Sequence, residues 1–83
     1  MHLEDVVRSD AALCELVEVE FDSSLPTVLI RDTTGFNDFI FLQGDEALTF
    51  EAQFEALQWQ LPHVNYDVLL KHLAKPYVEG IWG

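Results

Sequence analysis

Carboxylates are the side chains in this sequence whose number and spacing best suit chemistry. Glu18, Glu20 and Asp22 alternate with apolar residues, a period of two that indicates a strand with one buried face. Glu51 and Glu55 are four residues apart and would share one face of a helix. Acid–base catalysis needs one desolvated carboxyl beside another that stays polar, whereas these five read as solvated acids. Regularly spaced anions instead predict binding to a groove lined with Lys and Arg. The alternative is that the acids only keep a small apolar domain soluble.

Other residues that support catalysis or metal binding in proteins are few. Cys14 stands in an apolar run without a nearby base, which predicts a small core residue rather than a nucleophile. His63, Asp67 and His72 lack the spacings of common metal sites, and no glycine-rich phosphate loop occurs. A small enzyme or divalent-metal site built on these residues is the weakest of three hypotheses. We predict a protein that is not an enzyme and has no catalytic residues, metal or cofactor.

The hydropathy pattern predicts an α+β domain that spans residues 1–83. A short N-terminal helical segment precedes a three-stranded antiparallel β-meander, and two C-terminal helices pack against the sheet. Pro62 separates the two helices, and Pro76 ends or kinks the second. The predicted strands cover residues 16–22, 27–31 and 36–42, the helices lie within 45–61 and 66–76, and an apolar tail at 77–83 docks on the sheet or on a partner.

The first hairpin can be predicted to the level of individual residue pairs. If residues 23–26 form the loop, Phe21 faces Val28 and Glu18 faces Arg31. This register places the apolar faces of both strands on the same side, whereas a slip of one residue would set apolar against acidic side chains. The outer face of the first strand should therefore be acidic, with Arg31 as its nearby cation.

The aromatic residues divide into predicted core positions and predicted interface positions. Trp59 lies off the apolar stripe of its helix, which is typical of an interface anchor; packing against the C-terminal tail is the alternative. Tyr77, Ile81 and Trp82 belong to the predicted docking tail, with which a second copy or a larger complex could pack. Six residues are predicted to be in the core: Phe21, Phe36, Phe39, Phe41, Phe50 and Phe54.

The charge of the chain narrows the classes of partner. Its 83 residues carry 15 acids against 4 Lys and Arg, a formal charge of -11, which disfavours nucleic acid and anionic membranes as ligands. Residues 1–62 hold 13 acids and 2 bases, whereas residues 63–83 hold 2 of each. One cysteine excludes an internal disulfide framework, and the acidic start is unlike a secretory signal. We expect a cytoplasmic protein.

These features predict a non-enzymatic acidic inhibitor or interaction module for a basic, nucleic-acid-handling protein. The contacts are expected from Glu18, Glu20, Asp22, Glu51, Glu55 and Trp59. The size and charge resemble those of DNA mimics, phage anti-defence proteins and immunity proteins, although no motif of a family is matched. The alternative is an assembly subunit that forms a homodimer or docks through its neutral C-terminal helix and tail.

Overall fold

The computed structural model describes residues 2–34 and 38–81, except for the side chain of Ile81. It has the predicted α+β architecture, with one three-stranded sheet and three helices. The elements are α1 (Leu3–Leu13), β1 (Val17–Asp22), β2 (Thr27–Asp32), β3 (Phe39–Gln43), α2 (Asp45–Gln60) and α3 (Tyr66–Ile81).

The sheet has the order β1-β2-β3, and both pairs are antiparallel. The predicted register of the first hairpin is confirmed, since Phe21 pairs with Val28 and Glu18 with Arg31. Its turn is closed by Asp22, whose Oδ1 accepts hydrogen bonds from the amide nitrogen of Ser24 at 2.9 Å and from its hydroxyl at 2.6 Å. Local hydrogen bonding and burial thus select the same register.

The helices cover one face of the sheet, which we call the inner face. Apolar residues from all three strands pack there against Phe50 of α2 and Ala74 of α3. A second apolar cluster joins Val7 of α1 to buried residues of α2 and α3, and Leu70 and Leu73 contact both clusters. The opposite face of the sheet, the outer face, has no helix packed on it among the described residues.

The C-terminal segment differs from the predicted tail. α3 continues through Pro76 as far as Ile81, although proline removes one backbone hydrogen bond from a helix interior. Tyr77 and Val78 are half-buried against the inner-face cluster. Burial of these two side chains offsets the missing hydrogen bond, so the segment packs as helix rather than as a separate tail. Trp82 lies outside the described residues.

The prediction for the third strand was wrong in part. The strand begins at Phe39, and Phe36 lies outside the described residues. Phe39 and Phe41 were predicted to be core residues, but they are 65% and 50% exposed. Pairing of Ile40 with Ile30 on β2 sets the alternation, which turns both phenylalanines toward the outer face.

Candidate functional site

The acidic residues of β1 form a row on the outer face. Glu18, Glu20 and Asp22 are exposed, while the residues between them pack toward the helices. Successive carboxylates are about 6.6–6.8 Å apart along such a strand. We call these three residues the acidic row.

Arg31 on β2 is the cation placed beside the acidic row. Its guanidinium hydrogen-bonds the carboxylate of Glu18 and lies 3.8 Å from that of Glu20. The hydrogen bond and the charge of Glu18 raise the pKa of Arg31. One cation therefore serves two carboxylates, which leaves the row with net negative charge.

Asp22 differs from the two glutamates because it also closes the hairpin. The hydroxyl of Ser24 and then the amides of Ser24 and Leu25 lower the pKa of this carboxyl by donating hydrogen bonds to it. A change at Asp22 would therefore alter the turn as well as the charge. Glu18 and Glu20 are better positions for testing the charge of the row alone.

Apolar side chains lie beside the acidic row on the same open face. Leu29 of β2 pairs with Glu20 on one side and with Phe41 on the other. Glu20, Asp22, Leu29 and Phe41 line a shallow depression there. We call Leu29, Phe39 and Phe41 the apolar strip. The core interpretation of the phenylalanines missed it, although apolar residues at four consecutive strand positions, from Phe39 to Leu42, require two of them to face outward.

The predicted contact residues of α2 lie in a different layer. Glu55 is exposed, Glu51 is half-buried, and Trp59 is 87% exposed. Their spacing of four residues puts all three on one side of α2. Because α2 packs against the inner face through Phe50, these residues do not extend the acidic row. Their participation in the same partner contact stays a prediction.

Only part of the predicted C-terminal docking site lies within the described residues. Tyr77 packs against the core of its own chain. Ile81 is the last residue of α3, but its side chain and Trp82 lie outside the described residues. Docking of a second copy through Tyr77, Ile81 and Trp82 stays a prediction. Because Tyr77 is half-buried in its own chain, less of its surface is available for contact with a second copy.

Each Lys and Arg of the sequence already has a carboxylate partner. Arg8 bonds Glu4, and Arg31 bonds Glu18. Lys71 lies 3.6 Å from Asp67 of its own helix. Lys75 lies 3.0 Å from Glu79 and 3.4 Å from Asp10 of α1, and these partners, Glu79 first, raise its pKa. The excess acids of the chain are therefore left without a Lys or Arg to neutralise them.

The candidate catalytic residues are dispersed and already partnered. Cys14 is 2% exposed, and burial, followed by the charge of Asp10, raises its pKa, which disfavours the thiolate. His72 Nδ1 lies 2.7 Å from Asp10 Oδ2, and His63 bonds Glu4. Within residues 2–34 and 38–81, His, Cys, Asp and Glu form no group of three that would hold a metal ion.

No family model, curated protein or solved structure matches this chain. Among the described helices, none has both the length and the apolar character needed to cross a bilayer. The outer face of the sheet places three carboxylates beside two exposed phenylalanines, and this chemistry indicates the kind of function that the surface can have.

Proposed function

We propose that this protein is a non-enzymatic interaction module, of the inhibitor type, that binds a basic protein through the outer face of its sheet. The observation that carries the proposal is the position of the acidic row beside the apolar strip on one uncovered face. Both kinds of contact are thus available to one partner surface at the same time.

The apolar strip supplies what an interface needs at its centre. Binding energy is concentrated in a few buried side chains, often aromatic, and polar groups around them exclude water and select the partner. Phe39 and Phe41 are exposed aromatic side chains on β3, and Leu29 extends the apolar surface toward Glu20. Burial of this strip would supply affinity that the carboxylates alone would not.

The acidic row supplies the choice of partner. Its negative potential attracts positively charged surfaces and repels negatively charged ones, which raises the association rate for a basic partner. Because each Lys and Arg is paired within the chain, an acidic partner or a nucleic acid would meet repulsion without a compensating free cation. The partner we propose therefore has clustered Lys and Arg around an apolar depression.

A nucleic-acid-handling protein is the kind of basic partner that we propose. Such proteins bind a polyanion through a positively charged groove. Three carboxylates at regular intervals on a flat face, in a chain of charge -11, would compete with phosphates for that groove. Occupation of the groove would inhibit the partner without any chemical step.

Two matched double variants test whether the position of the charge matters. Glu18→Gln with Glu20→Gln removes two carboxylates from the outer face, and Glu51→Gln with Glu55→Gln removes two from α2. Both change the net charge equally, so non-specific attraction to basic proteins falls equally. Proteins from a cell extract that bind the immobilised wild-type chain are identified, purified and measured singly by surface plasmon resonance at low and high salt.

The expected result is a purified basic protein whose association slows by roughly tenfold with the β1 variant and much less with the α2 variant. The association should also slow at high salt, because exposed charges are screened beyond about 8 Å at physiological ionic strength. Equal losses in the two variants would assign α2 to the same contact. An association rate that changes neither with salt concentration nor with the β1 substitutions would overturn the proposal.

A further inference from the structure

The free edge of β3 is a second unsatisfied feature, and it borders the outer face, to which β3 contributes Phe39 and Phe41. β3 pairs with β2 alone. The amide of Asp32 on β2 donates to the carbonyl of Asp38 at 2.9 Å, which shows that Asp38, just before β3, points its backbone groups at β2. Backbone groups alternate between the two sides of an antiparallel strand, so Phe39, Phe41 and Gln43 direct theirs to the open edge. Among the described residues they have no hydrogen-bond partner there.

Within residues 2–34 and 38–81, this edge also has none of the features by which proteins block strand addition. Edge strands are usually protected by charged residues, prolines, bulges or a covering segment. β3 has the sequence Phe-Ile-Phe-Leu-Gln, without a charge or a proline. The unpaired backbone groups at this edge have the spacing of a strand, so the segment that pairs with them would be another extended strand.

We propose that a second copy of this chain covers the edge, by antiparallel pairing of β3 with β3 about a two-fold axis at Phe41. Overlap of the whole strand pairs Phe41 with itself and Phe39 with Gln43 of the other copy. These are the residues whose backbone groups face the edge, and each such pair exchanges two hydrogen bonds. The two sheets become one continuous sheet of six strands.

The side chains are compatible with this register. Ile40 lies opposite Leu42 of the other copy, so the inner faces of the two sheets remain apolar and continuous. On the outer face the two Phe41 rings meet at the axis, with Phe39 diagonal to each, close enough for aromatic side chains to contact. The arrangement is isologous, as is typical of a two-fold dimer.

The distribution of charge favours pairing of two copies through β3 and disfavours their pairing through β1. Two β1 strands paired in any register that keeps the faces would set carboxylate opposite carboxylate, which is destabilising. In the β3 pairing no charged strand residue faces another. The two acidic rows would be five strand spacings apart, about 24 Å, which is roughly three Debye lengths at physiological salt. The charges of the two acidic rows therefore do not oppose this dimer strongly.

A charge-complementation experiment tests the position of the axis. Phe41→Glu and Phe41→Lys each place two like charges opposite each other in the dimer, whereas a mixture of the two chains places Glu opposite Lys. The full-length wild type is expected to be a dimer by sedimentation velocity at high concentration. Each variant alone should be monomeric, and the equimolar mixture should form a one-to-one heterodimer, because only position 41 faces itself.

Three results would overturn the inference. They are a wild type that stays monomeric from micromolar to millimolar concentration, a dimer that survives both substitutions, and variants whose mixture stays monomeric. A dimer that survives would place the interface elsewhere, for instance at Tyr77 and the residues after it. Circular dichroism checks that each variant is folded. If a charge at position 41 prevents folding, hydrogen exchange decides, since the amides of Phe39, Phe41 and Gln43 should be protected in concentrated wild-type protein and lose protection on dilution.

Discussion

The two outer strands of the sheet, β1 and β3, show two ways of presenting an open edge to solvent. Every residue that β1 directs to the outer face is an acid, whereas β3 directs Phe39, Phe41 and Gln43 there. Both strands direct apolar residues to the same inner face. The two strands therefore contribute the same kind of side chain to the core, but they present opposite kinds of side chain on the outer face.

This difference shows that the charge of β1 has a structural use in addition to any partner. Acids on an edge strand prevent pairing with other chains, so the acidic row confines strand addition to the other edge. A row meant only for edge protection would not require an apolar strip beside it. Under the two proposals, one molecule has an edge that pairs with a second copy and an acidic row that attracts basic proteins.

The largest expected effect separates the two faces of β3. Leu42→Ala removes a side chain that is 2% exposed in the core and should lower the free energy of unfolding by about 2–5 kcal/mol. Phe41→Ala, one residue away, should lower the free energy of unfolding of the monomer by less than about 1 kcal/mol, because the Phe41 side chain is half exposed. Urea denaturation at low protein concentration measures both. Equal losses would mean that Phe41 belongs to the core after all.

A smaller effect is expected from making β1 resemble β3. Glu18→Thr with Glu20→Thr removes two of the three carboxylates from the edge strand and introduces residues that favour strands. The variant should assemble beyond the dimer, because each copy then has two edges open to pairing. Light scattering after size-exclusion chromatography detects the larger species. The same charge removed at Glu51 and Glu55 of α2 serves as the control, and it should leave the assembly state unchanged.

The first hairpin could be predicted from the sequence because two constraints agree there. Apolar and acidic residues alternate strictly in β1, and a loop of four residues brings Val28 and Ile30 of β2 opposite its apolar positions. In β3 no such constraint exists within the strand. Its residues from Phe39 to Leu42 are apolar on both faces, so only pairing with β2 decides whether the two phenylalanines or Ile40 and Leu42 are buried.

In the C-terminal segment, by contrast, a local signal in the sequence did not predict the structure. Pro76 is a local signal for a helix end, and the helix nevertheless continues because Tyr77 and Val78 are half-buried against the sheet. Tertiary packing here outweighs a local preference.

The carboxylates of the candidate surface could be predicted, because their period of two is visible in the sequence. Its apolar strip depended on the face that β3 turns outward, and the separation of Glu51 from the acidic row depended on the layer in which α2 lies.

The smallest expected effect concerns Asp22, the member of the acidic row that also closes the turn. Its pKa is lowered by hydrogen bonds from Ser24 and Leu25, so the carboxylate stabilises the fold above the unfolded-state pKa of about 3.9. That contribution disappears as the pH falls through the lower folded-state pKa. Asp22→Asn should therefore be less stable than the wild type at neutral pH and should lose less stability on acidification.

Urea denaturation of Asp22→Asn and wild type across the acidic range gives the test, since the two curves of unfolding free energy should converge as the pH falls. Ser24→Ala removes the hydroxyl donor but keeps the amide donors, and it should give an intermediate curve. Glu4 also has a lowered pKa, through His63 and Arg8, but it is common to all three proteins and cancels in the difference. Parallel curves would mean that the turn does not depend on the ionised carboxylate, and Asp22 would then be as free as Glu20 to contact a partner.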